Sequence, residues 1–197
     1  GLAFVGCAIG SMRPVPPPSP AQRKREVAVA GKKVRVIDIH AHCCVPKAMA
    51  VIGHPLEAPG LLMDDTSARI AAMDAQGIDM EALSINPFWY RAERDAAAEL
   101  VRIQNETLAE FCAANPERFV AFGTAALQYP DLAAEQVEHA VRKLGLRGVG
   151  VGGSVAGLEL ADPKFHPFWA KCEELGILIF LHPLGVKELE PVSYTHL

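Results

Sequence analysis

The chain has 197 residues, half of them hydrophobic and 21 % charged, with a mean hydropathy of +0.16. That composition excludes a disordered or collagen-like polymer, and at roughly 150 residues per domain the length allows one domain with a remainder. A net charge of −4 supplies no basic field for nucleic acid or an anionic membrane. Five cysteines, with Cys43 and Cys44 adjacent and no Cys-x-x-Cys, argue against a disulfide framework or a zinc ribbon.

Residues 1–33 read as a leader and linker rather than as fold. Gly1–Gly10 is apolar but too short to span a bilayer, and Arg13–Pro20 (RPVPPPSP) is an extended polyproline spacer. Together they match the back half of a secretory signal ending near Ser19-Pro20-Ala21, which implies export to the periplasm or beyond. An ill-defined tail, or a start at Met12, implies a cytoplasmic protein instead. Cys7 resembles a lipoprotein cleavage site, although Phe4 fits that pattern poorly.

From Val34 onward, short β-branched runs alternate with helical periods. Val34–Ile39 predicts a strand. Thr66–Gln76 predicts a helix capped by Thr66 or Asp65 and stopped by Gly77. Met80–Ile85 is a second strand, and Ala92–Ala114 a long helix with Leu100, Ile103, Leu108 and Phe111 on helical spacing. Phe119–Ala126, Arg147–Val151 and Ile177–Leu181 are strands three to five, separated by helices over Leu132–Leu144 and Phe165–Leu175. Apolar strands separated by helices mean a parallel sheet covered on both faces. It is either a doubly wound open sheet or a (β/α)₈ barrel. No Gly-x-Gly-x-x-Gly follows the first strand, and the strand-end residues favour the barrel. Five units at about 36 residues each fall short of the roughly 250 residues such barrels need, so the α/β class predicted is a (β/α)₈ fragment of about five units. Glu190–Leu197 carries no helical pattern and reads as a non-native tail. A fragment with two open sheet edges is expected to be insoluble or inactive when expressed alone.

The chemistry gathers at strand ends. Side chains alternate along a strand, so His40 and His42 of His40-Ala41-His42 point to one side. His182 ends the fifth strand (ILIFLHP), and in a parallel barrel all carboxyl ends share one face, so it can approach that pair across 140 residues. Three imidazoles with positions left for water make a catalytic rather than a closed structural metal site. Asp38 has the same parity one layer deeper, as a ligand, an acceptor that orients a histidine, or a buried floor carboxylate. Asn86 and Trp89, at and after the second strand's end, are pocket-wall candidates; the alternative for Trp89 and Tyr90 is an aromatic loop packed on the barrel. Cys43 and Cys44 read as small buried residues, and His54, His139 and His166 as surface or capping residues.

The segments VIDIHAH, RIAAMDAQGID, NPERF and ILIFLHP, in this order over Val34–Gly185, resemble the amidohydrolase superfamily. The branch they resemble is that of aminocarboxymuconate-semialdehyde decarboxylase and related aromatic-acid decarboxylases. The resemblance implies a metal-dependent barrel over 34–189 with His40, His42 and His182 as ligands of one divalent ion. Zinc is the usual ion of the family, and manganese occurs in some relatives. The family's acid/base histidine and aspartate follow its sixth and eighth strands and are expected beyond residue 197. Its substrate-carboxylate arginine has no counterpart in Val45–Asp64, and the fourth strand runs into Gly150–Ser154 without the lysine of binuclear relatives, which implies a mononuclear site.

The implied activity is non-oxidative decarboxylation of an aromatic or muconate-type acid using a metal-bound water, in a protein that forms a homodimer when full length. Hydrolysis of an amide, ester or lactone is the alternative, because the ligand set serves both reactions. A phosphoesterase also opens with Asp-x-His-x-His but needs further ligands early in the chain, and Met80–Pro87 and Phe119–Gln128 supply no histidine.

Overall fold

The computed structural model describes residues 24–53, 61, 63 and 65–182. Gly1–Gly10, the proline-rich spacer, Cys7, His54, His196 and the 190–197 tail lie outside the described residues.

The described residues already pair into strands upstream of Val34. Strands β1 (Ala28–Val29) and β2 (Lys32–Lys33) form a two-residue hairpin inside the expected linker. Its turn residues Ala30 and Gly31 both have positive φ, 50° and 76°, the geometry that matches strand twist. The backbone N–H of Arg25 then bonds the Asp74 carbonyl, tying this segment to the domain.

Strand β3 spans Ile37–His42, three residues later than expected. Val34 donates instead to the hairpin carbonyl of Val27, and Val36 to the Asp79 carboxylate, so the ladder starts only at Ile37 opposite Met80. A six-residue helix α1 (Pro46–Val51) follows. Helix α2 (Thr66–Gln76) has the predicted bounds: the Asp65 side chain accepts the Ala68 N–H, and Gly77 closes it at φ 80°. Strand β4 is Met80–Ser84 and helix α3 Arg94–Ala114. Strand β5 stops at Phe119–Ala121, well short of Ala126, because side chains take over its peptide groups. Asn105 Oδ1 accepts the Thr124 N–H and Gln136 Oε1 that of Ala126. Helix α4 (Pro130–Arg142) and strand β6 (Gly148–Gly152) come next. A second hairpin, β7 (Ser154–Val155) with β8 (Leu158–Glu159), turns through Ala156 and Gly157, again both at positive φ. A single 3₁₀ turn (Pro163–Phe165) leads into α5 (His166–Leu175), and β9 (Leu178–His182) completes the set.

Topology decides between the two closures. β3, β4 and β5 pair in parallel in chain order, β6 pairs in parallel with β9, and a parallel bridge from Gly123 to Val149 joins the two groups. A doubly wound sheet reverses its strand order at a switch point; this row never does. The described chain is therefore five parallel strands in barrel order, the first four each followed by helix, a partial (β/α)₈ barrel.

The core lies between strands and helices, around Met73, Leu83, Trp89, Leu100, Phe119, Phe165 and Phe168. The outer strands of the row expose large apolar side chains, Ile39 at 53 % on β3 and Leu181 at 56 % on β9. Among the described residues, no helix is long and apolar enough to cross a membrane.

Candidate metal centre

β3 and β9 stand at opposite ends of the row, yet their histidines meet, so the row curves round on itself. His42 Nε2 lies 2.7 Å from His40 Nε2 and 3.0 Å from His182 Nε2. The three ring centroids are 4.6–5.0 Å apart, with rings inclined to one another rather than stacked. Among the described residues these three form the one group of histidine, cysteine or acidic side chains close enough to share a cation. His40 is exposed, and His42 and His182 are half-buried.

The alternation argument is only partly the cause. The β3–β4 register slips between Asp38 and Ala41, where three steps on β3 face two on β4, an irregularity of the β-bulge type. Asp38 stabilises that kink: its Oδ1 accepts the His40 backbone N–H at 3.0 Å. The carboxylate thus bonds a peptide group, which places it neither among the clustered nitrogens nor, through that bond, on an imidazole ring. His182 is carried in by β9, paired to β6 up to Gly152 opposite His182. Phe180, two residues earlier on the same face, packs 5.2 Å from His40 and stacks on Phe122 at 5.3 Å, forming an apolar floor.

Three convergent ring nitrogens suit a cation on chemical grounds. Each imidazole nitrogen holds one proton or offers one lone pair, so His42 Nε2 can share only a single proton between its two neighbours. A divalent ion takes all three lone pairs together.

Beside His42 lies a small cavity of about 20 Å³, walled by Cys43, Met49, Ile85, Asn86 and Phe88 among others. Asn86 lines this cavity, with its Oδ1 buried and unpartnered among the described residues. Trp89 does not: it is fully buried and donates its Nε1–H to the Ala125 carbonyl at 2.9 Å, as a core residue. Phe88 lines the cavity, while its neighbour Trp89 is buried in the core. Tyr90 is buried as well, its hydroxyl accepting the Gly152 N–H, and burial pushes its pKa up to about 12. Cys43 and Cys44 are both buried, and desolvation raises the Cys43 thiol to about 12, which keeps it neutral. His139 and His166 are exposed and stand outside the cluster.

Sequence reasoning passed over Arg69 and Glu81. The Arg69 guanidinium bonds Glu81 Oε2 at 2.5 Å and the carbonyl of His42 at 3.1 Å. The only signal was an arginine at the fourth position of a helix whose inner face is apolar.

Known proteins give this geometry a context. The chain is 28 % identical over 149 residues to the 2-amino-3-carboxymuconate-6-semialdehyde decarboxylase of Dictyostelium discoideum, covering 75 % of this chain and 42 % of that one. It is 39 % identical over 130 residues to the gamma-resorcylate decarboxylase of Rhizobium sp. (strain MTP-10005), covering 62 % and 40 %. The chain thus spans about two fifths of the length of these curated relatives. Among solved structures, 5-carboxyvanillate decarboxylase LigW from Sphingomonas paucimobilis superposes with a TM-score of 0.70 at 26 % identity, over 82 % of this chain and 56 % of that one. A dihydroxybenzoic acid decarboxylase from Polaromonas sp. JS666, with bound manganese and 2-nitroresorcinol, gives 0.63 at 28 % identity, over 82 % and 52 %. The family model described as amidohydrolase matches residues 37–195. Because that match begins on the strand of His40 and His42 and runs past the strand of His182, the chain belongs to the amidohydrolase family, on its decarboxylase-like branch.

Proposed function

We propose that His40, His42 and His182 ligate one divalent cation and that the protein to which this chain belongs is a non-oxidative decarboxylase of an aromatic carboxylic acid. The observation that carries the reading is the meeting of three Nε2 atoms from the two ends of the strand row. Zinc is the ion that three neutral imidazoles favour, with manganese, named for the Polaromonas relative, as the competitor.

When bound, such an ion supplies Lewis acidity towards the oxygens of a carboxylate or phenolate. The chain's own groups do the rest. Phe180, which packs on His40, and Phe88, which lines the cavity beside His42, are both half-buried and offer apolar surface to an aromatic ring. Asn86 Oδ1, buried and short of a donor, accepts a hydrogen bond from a ring hydroxyl. Cys43 stands outside the group of converging ligand atoms, its Sγ–H directed to the Ser84 carbonyl.

Metal analysis of the purified protein, joined to CO₂ release from 2,6-dihydroxybenzoate and 5-carboxyvanillate, tests the proposal. One equivalent of metal with metal-dependent CO₂ release is expected. Hydrolysis of an ester, amide or lactone panel without CO₂ release overturns the decarboxylase reading in favour of a hydrolase.

A further inference from the structure

We propose that Arg69 is a positioning residue: locked by Glu81, it holds the backbone carbonyl of His42 and so sets where the central imidazole of the triad stands. The inference rests on the reading that the three imidazoles share a cation, and it concerns residues outside the ligand set.

Three observations carry it. First, the contact joins three elements at one point. Arg69 comes from α2, Glu81 from β4, and the carbonyl from the last residue of β3. Second, both side chains are largely buried, at 16 % and 11 % exposure, in a place where two apolar side chains would serve stability as well. A buried ion pair is weak evidence for stability, and its best-attested use is fixing geometry. Third, the β3–β4 register slips between Asp38 and Ala41 and resumes with Ala41 opposite Leu83 and His42 opposite Ser84, so the strand reaches His42 through an irregular stretch. The guanidinium adds a second hold at His42, because its fork bonds a carboxylate through Nε and a carbonyl through Nη2 at once. Upstream, the Asp65 cap fixes the first turn of α2, so the base of the Arg69 side chain is itself held.

His42 is the member of the triad on which this matters most, since its Nε2 contacts both others. Groups that orient a ligand typically change metal affinity by about 10–100-fold when removed.

The test uses the 197-residue chain with two paired substitutions. Arg69→Met/Glu81→Leu removes both charges together, so no uncompensated ion is left buried. Arg118→Met/Asp74→Asn removes a comparable ion pair at the amino ends of β4 and β5, 2.9 Å in length and away from the strand ends that carry the histidines. Two readouts are taken: the zinc dissociation constant by chelator competition, and the ¹⁵N imidazole signals of the metal-free chain. The first variant is expected to bind zinc about 10–100-fold more weakly and to shift the His42 signals while His139 and His166 stay in place. The second should change neither. Arg69→Lys, which keeps the charge but cannot reach both partners, should fall between, and it is the variant to read if the double substitution does not fold. Unchanged zinc affinity and unchanged His42 signals, or equal changes in the Arg118 pair, overturn the proposal. If the parent chain takes up no zinc, the metal reading fails, and the imidazole signals still decide whether Arg69 positions His42.

Discussion

The amino and carboxyl ends of the parallel strands handle their polar groups in opposite ways. At the amino end, Arg118 bonds the Asp74 carboxylate and the carbonyls of Asp79 and Ile78. Asp79 in turn accepts the Val36 N–H and pairs with Lys24 at 2.5 Å. Donors and acceptors there satisfy one another, and the end is closed. At the carboxyl end, Arg69 likewise grips a carbonyl, but what it steadies is a group of imidazoles whose ring nitrogens face each other. In parallel barrels the first end belongs to stability and the second to chemistry. Here the contrast is visible in which groups leave capacity for a ligand.

The sharpest way to break that division is to mutate a residue that lies near the carboxyl end and is nonetheless structural. Trp89→Ala should cost about 3–5 kcal/mol in urea unfolding, through its cavity and the Ala125 carbonyl left without a donor. A folded variant of ordinary stability with altered substrate binding would instead return Trp89 to the pocket wall.

A smaller effect is expected at Gly148, on β6. A Cβ there would overlap the carbonyl oxygen of Leu178 on β9, so Gly148→Ala must push the two strands apart. We expect a loss of roughly 1–3 kcal/mol and, with it, weaker cation binding, because β9 carries His182. Equal stability and undiminished zinc affinity would show that β9 holds its histidine in place without this pairing.

The smallest effect belongs to the amino end. The Lys24 ammonium, then the Val36 N–H, hold the Asp79 carboxyl below its ordinary value of 3.8. A depressed folded pKa adds stability that is complete above the unfolded value and is lost as pH falls through the folded one. Asp79→Asn should therefore cost a little stability at neutral pH, converge with the parent below about pH 4 and so flatten the acid limb of the stability curve, and leave zinc affinity nearly untouched. A change in zinc affinity would blur the division between the ends.

How much of this was legible depended on whether the signal was local. Helix α2 was bounded to the residue because Asp65 and Gly77 act within one turn of it. The three histidines were found because strand ends in a parallel barrel share one face, a rule that needs no side-chain detail. The two hairpins were invisible because each turns through Ala-Gly: Ala30 and Ala156 adopt positive φ, where Asn, Asp or Gly is the usual residue. The β3 irregularity left no trace in the order of residues, and Asp38 serves it through the backbone rather than through a ring. Strand β5 was overlong because Asn105 and Gln136, on distant helices, capture its peptide groups. Arg69 escaped for a similar reason. A charged residue on a helix reads as solvated until the partner strand is known.

The most direct test of the account is cation stoichiometry by chelator competition in the parent chain beside His42→Ala and His182→Ala. The account predicts one zinc per chain in the parent and loss of that binding in both variants, although 140 positions separate the two histidines. Full zinc binding by His182→Ala would contradict it, because the cation would then owe nothing to the strand at the far end of the row.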